Sequence, residues 1–115
     1  MMYAVQLLLQ TSRAEPAALL DHVDRVTEEL AALDEAHEAL LDFAIGVDAD
    51  RFEVTVELTV QAPSVDDAVA CAKSCARSAV HAAGGATPGW DDASTADRVI
   101  AYTLEDAQTS LVAAA

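Results

Sequence analysis

The sequence predicts an α+β domain with the element order βαββαβ, and three observations carry that prediction. Residues 52–61 alternate strictly: Phe52, Val54, Val56, Leu58 and Val60 share one face, and Glu53, Thr55, Glu57, Thr59 and Gln61 share the other. Two longer stretches, 15–34 and 65–83, repeat apolar residues at helical spacing. Shorter alternating runs at 3–10, 39–47 and 98–104 supply the remaining strands.

The first strand sets Tyr3, Val5, Leu7 and Leu9 on one side and Ala4, Gln6, Leu8 and Gln10 on the other. Pro16 suits the first turn of a helix, where its missing N–H costs little. Leu19, Val23, Val26, Leu30 and Leu33 then form an apolar stripe opposite Asp21, Asp24, Arg25 and Glu28. The second strand puts Leu41, Phe43, Ile45 and Val47 inward and Asp42, Ala44 and Gly46 outward. Asp48-Ala49-Asp50 is turn chemistry, so the second and third strands form a hairpin. Pro63 ends the third strand, and Ser64 with Asp67 three residues later resembles a capping box. The second helix is expected to bury Val65, Ala68, Val69, Ala72, Ala76, Ala79, Val80 and Ala83, and Gly84-Gly85 to stop it in a left-handed cap. Residues 87–97 read as a loop, and Ile100, Tyr102 and Leu104 as the inward side of the last strand. The expected domain spans residues 1–105, with 106–115 a flexible tail.

This order resembles the ferredoxin-like split βαβ unit. Right-handed crossovers then give a four-stranded antiparallel sheet of order 4-1-3-2, with both helices on one face and the other face open. The chain is similar to small uncharacterised ferredoxin-like proteins of high-GC bacteria. The residues that carry the likeness are the Phe52–Val60 strand, the Ser64-Val65-Asp66-Asp67-Ala68 helix start and Thr87-Pro88-Gly89-Trp90. The likeness implies a fold and brings no function with it.

Composition narrows the functional classes. Of 115 residues 53% are hydrophobic, while formal net charge is −14 with only six Lys and Arg. Such a chain repels nucleic-acid phosphates and anionic membrane surfaces. Its Asp- and Ala-rich, Lys-poor usage resembles proteins of high-GC bacteria or salt-adapted archaea. No run approaches the ~20 apolar residues of a membrane span, and the start lacks a basic segment followed by an apolar one. Cys71 and Cys75, four apart on one helix, suit a disulfide poorly and point to a reducing, cytoplasmic setting.

Candidate chemistry gathers on the open sheet face. Pairing Val47 with Phe52 sets Asp42 opposite Glu57 and Gly46 opposite Glu53, so Asp42, Glu53 and Glu57 are candidate binding residues. Trp90, alone in a Gly/Pro-flanked loop, is a fourth. His22, His37 and His81 show no metal-ligand spacing, and His22 reads as a boundary residue of the first helix. No catalytic, metal or cofactor signature is present, so no cofactor is expected. The C-terminal Leu111-Val112-Ala113-Ala114-Ala115 resembles tails read by bacterial AAA+ proteases.

Together these features describe a non-enzymatic cytoplasmic binding or assembly module, acting through its open face or as a homodimer, with a protein partner as another option. One alternative is a small-molecule enzyme of the dimeric ferredoxin-like type, which would need a polar residue facing the core. Another is an acidic mimic of nucleic acid.

Overall fold

The computed structural model describes residues 1–88 and 100–113. The elements are β1 (Met2–Thr11), α1 (Pro16–Ala36), β2 (Leu40–Asp48), β3 (Glu53–Gln61), α2 (Val65–Ala82) and β4 (Tyr102–Ala113). The four strands form one antiparallel sheet in the order β2-β3-β1-β4, the expected ferredoxin-like topology. Both helices cover one face.

The alternation of β1 and β3 explains the core. Val5, Leu7 and Leu9 of β1 and Val54, Leu58 and Val60 of β3 are completely buried. Each such side chain contributes about 1.5–3 kcal/mol of burial free energy. Leu19, Val26 and Leu30 close the core from α1. From α2 it is mostly alanine (Ala68, Ala72, Ala76, Ala79) with Cys75 and Val80. Small residues there let the helix axis come close to the sheet. Val65, expected inside, is 50% exposed at the first turn of α2.

Two caps fix α2. The Ser64 Oγ accepts from the Asp67 amide at 3.2 Å and donates to the Asp67 carboxylate at 3.1 Å. At the other end Gly84 takes φ +88°, its N–H donates to the His81 carbonyl and that of Gly85 to the Val80 carbonyl. This pair of bonds is a Schellman motif, with glycine at the left-handed position.

Three expectations need correction. In the hairpin Val47 pairs with Val54, not Phe52, so Asp42 faces Thr59, Ala44 faces Glu57 and Gly46 faces Thr55. The directly opposed acids are Asp48 and Glu53. Phe52 leaves the strand because it adopts φ +56° at the end of the turn, with its carbonyl bonded by the Thr11 amide and Arg13 lying 5.8 Å over its ring. A slip of two residues keeps every side chain on its face, so hydrophobic patterning is blind to it. Second, a bulge between Leu40 and Asp42 turns Leu40 inward and leaves Leu41 42% exposed. Third, the last strand starts at Tyr102 and runs to Ala113, so residues 106–113 form an edge strand where a tail was expected. Its partner along its whole length is β1, from Thr11↔Tyr102 to Met2↔Ala113.

Candidate functional site

Sheet register turns the open face into four rows across β2, β3, β1 and β4. These are Asp42–Thr59–Ala4–Ser110, Ala44–Glu57–Gln6–Gln108, Gly46–Thr55–Leu8–Asp106 and Asp48–Glu53–Gln10–Thr103. Asp42, Glu53 and Glu57 therefore share the face, as expected, but in separate rows. They do not converge with other ligand-type side chains into a cation cage among the described residues. Glu57 borders a shallow hollow of about 310 Å³ with Gln6, Ala44, Ile45, Gly46 and Thr55. The hollow exists because Ala44 and Gly46 contribute almost no side chain beside longer neighbours. Trp90 lies outside the described residues.

A second site was not visible as a cluster in the sequence. It forms where the first turns of α1, the glycine cap of α2 and the start of β4 meet. His22 is only 4% exposed, and its Nδ1 lies 2.9 Å from the Tyr102 hydroxyl, across 80 residues of chain. The Ala86–Ala101 bridge, with the Ala86 amide bonded to the Ile100 carbonyl and the Tyr102 amide to the Ala86 carbonyl, holds Tyr102 in place. The Ser12 Oγ fixes the same segment from the other side by accepting from the Ala101 amide at 3.0 Å. Gly85 is required here by space: a Cβ would come within 2.8 Å of His22 Cε1 and Val80 Cγ1. The loss of a side chain at that position lets the imidazole lie under the end of α2.

Electrostatics keep this pair neutral. Burial, then the Arg25 charge, lowers the His22 pKa below its ordinary 6.5, outweighing the opposite pull of the Ala83 backbone and Asp21. Burial raises that of the Tyr102 phenol, against a smaller opposing effect of Arg25. The phenol keeps its proton near neutral pH and can donate to Nδ1 in the tautomer that carries the ring hydrogen on Nε2. His22 Nε2 is buried and makes no hydrogen bond of ordinary geometry, although a looser contact of the ring with the Ala83 backbone partly supports its charged form. A buried ring nitrogen that is only loosely paired is a group that a better-placed partner would satisfy. Beside it lies a pocket of about 300 Å³ lined by Ala18, Asp21, His22, Arg25, Ala83, Gly84 and Ile100. Arg25 and Asp21, 3.7 Å apart, are largely exposed at its rim.

The reading of His22 as a boundary residue is corrected by this geometry. Its position three residues after Leu19 and four before Val26 places it inside the buried stripe, a signal that was available in the spacing. Its partner was not, because Tyr102 is distant in sequence. His81 ends α2 as expected, and its Nε2 meets the Thr87 Oγ1 at 2.8 Å. A third polar group forms at the other end of α1, where His37 caps the helix beside Cys71 and Cys75 of α2. Both cysteines are free, and burial, reinforced by Cys71, pushes the Cys75 thiol up to about 11, so it is a poor nucleophile.

No family model and no curated protein matches the chain. Among solved structures it is similar to a candidate antibiotic biosynthesis monooxygenase from Chloroflexus aurantiacus J-10-fl, with a TM-score of 0.52 at 10% identity. The match covers 100% of this chain and 96% of that one. No described helix is long and apolar enough to cross a membrane. At so low an identity the likeness is one of fold, and the fold that the two chains share is the ferredoxin-like βαββαβ arrangement.

Proposed function

We propose that this chain binds a small polar molecule in the pocket over His22, with the His22–Tyr102 pair as its floor and Arg25 and Asp21 at its rim. The observation that carries this reading is a buried, neutral imidazole whose Nε2 lacks a well-formed hydrogen bond, against a pocket of about 300 Å³. That volume is at the lower end of small-molecule sites, which run from about 300 to 1,000 Å³. The ligand would bring an acceptor for Nε2–H and an anionic group for Arg25. The glycine cap is the element that must shift slightly to expose Nε2, since Gly84 lines the pocket and Gly85 packs on the ring. A neutral histidine backed by a phenol can also take up and return a proton, so acid–base chemistry on a bound substrate is within the site's means. An inward-facing polar pair is the feature that the enzyme alternative required.

The test is an amide NMR titration with a set of small carboxylates and hydroxy acids. Binding at this site shifts Ala18, Arg25, Ala83 and Gly84 together. Shifts confined to Gly46 and Thr55 would move the site to the sheet, and a set without any binder would remove the proposal.

One further observation favours a second reading, the assembly module. The middle of the open face is a flat strip of Ala4, Leu8, Thr55, Ala44 and Gly46, and Leu8 remains partly exposed at its centre. A second copy packed face to face would cover it. Asp42, Asp48, Glu53, Glu57 and Asp106 oppose such pairing at low ionic strength and allow it when salt screens them. The same five carboxylates are spread over all four rows and do not repeat like backbone phosphates, which gives the nucleic-acid mimic little support. The two free thiols favour a cytoplasmic location.

A further inference from the structure

We propose that His37, Cys71 and Cys75 form a binding site for one zinc-class ion, held by two thiolates and one imidazole. The site is separate from the His22 pocket and does not depend on it. Its donor atoms, one ring nitrogen and two sulfurs, all lie within 4.8 Å of one another. In a tetrahedral zinc site with Zn–S about 2.3 Å and Zn–N about 2.0 Å, sulfur–sulfur and sulfur–nitrogen separations are about 3.6–3.8 Å. Side-chain rotation through about 1 Å is therefore enough to close the shell.

The scaffold holds these residues firmly. Cys71 and Cys75 are one turn apart on α2, so their sulfurs emerge on one face of a rigid helix. The same geometry discourages a direct disulfide. His37 is the C-cap of α1, with its amide bonded to the Leu33 carbonyl at 2.7 Å and its carbonyl to the Leu40 amide at 3.1 Å. The backbone is thus pinned while the ring stays exposed and able to turn. Cys75 is buried, Cys71 partly so, and the imidazole faces water, which leaves a fourth position open to solvent.

The donor set selects the metal. Two sulfurs and a nitrogen suit zinc and its cobalt substitute, whereas calcium and magnesium require oxygen ligands. Two thiolates also neutralise a divalent ion, and a chain of net charge −14 concentrates cations around itself. Sequence spacing concealed the site, because 33 residues and a whole hairpin lie between His37 and Cys71.

Titration of the reduced full-length chain with Co²⁺, followed by Zn²⁺, tests the proposal. One cobalt per chain should bind with sulfur-to-cobalt charge-transfer absorption, and zinc should displace it. Losing a first ligand should cost at least what losing an outer partner does, so His37→Ala and Cys71→Ala should each weaken zinc binding by about a hundredfold or more. Neither residue is part of the buried core, so both variants should keep the circular dichroism of the parent. Absence of the charge-transfer band, unchanged zinc affinity in His37→Ala, or displacement of the ion by millimolar Ca²⁺ would each overturn the assignment.

Discussion

His22 shows what a single residue adds that the linear pattern hides. It has a place in the apolar stripe of α1, yet its meaning comes from Tyr102, Gly85 and Arg25, contributed by three other positions in the chain. Its lowered pKa also has a consequence for stability. The folded state holds the neutral ring, so the unfolded chain binds more protons between the folded pKa and 6.5. Stability contributed by this group is therefore complete above about pH 6.5 and is lost as pH falls toward the folded value. Tyr102 is hydrogen-bonded to the neutral ring, and Arg25 and Asp21 are the charges facing it. Urea midpoints at pH 7.5 and 5.0 should fall further for the parent than for His22→Leu. Equal falls in both would mean that the ring is not held neutral. Of the candidate binding residues read from the sequence, Asp42, Glu53 and Glu57 do share one face, but their partners were misassigned by two positions. Pattern identifies the face of a strand, and only turn geometry fixes its register.

Among the elements, β3 and both helices were legible because their periodicity agrees with their burial. The Phe52–Gln61 alternation loses only its first residue to the turn. β4 was not legible beyond Leu104. Its later residues are mostly polar, and bulges opposite Leu8/Leu9 and Met2/Tyr3 break the period of two. It is a strand because its backbone completes the ladder of β1, not because its side chains are buried. Leu111 and Val112 are 56% and 53% exposed, and charged or polar neighbours suit an edge that must not recruit another chain. Truncation after Glu105 should therefore lower the melting temperature and remove the exchange protection of the Ala4, Gln6 and Leu8 amides, which face β4, while those of Val5 and Leu7 face β3. A truncated chain as stable and as protected as the parent would return residues 106–115 to a flexible tail.

At the scale of the whole molecule, the fold follows from one two-sided strand pattern and two amphipathic helices, while its function depends on places where chain-distant polar residues meet. The charge of −14 acts on both. Exposed carboxylates across the sheet repel a second copy within a screening length of about 10 Å at 0.1 M salt and about 3 Å at 1 M. If the open face is an assembly surface, light scattering should record a monomer in dilute buffer and a dimer in molar potassium chloride, with Leu8→Arg remaining monomeric in both. A monomer at every salt concentration would discard that reading and leave the His22 pocket unaffected.

The pocket itself is most directly tested by removing both polar groups of its floor together. The double variant His22→Leu/Tyr102→Phe replaces a hydrogen-bonded pair with apolar groups of similar shape, a change that is close to neutral or stabilising for the fold. The measurement is binding of a small-carboxylate ligand that shifts Gly84 and Arg25 in the parent, followed by amide NMR in both proteins. The account predicts a folded double variant with an unchanged or higher melting temperature and binding weakened tenfold or more, about 1.4 kcal/mol. A folded variant that binds the ligand as tightly as the parent would contradict it.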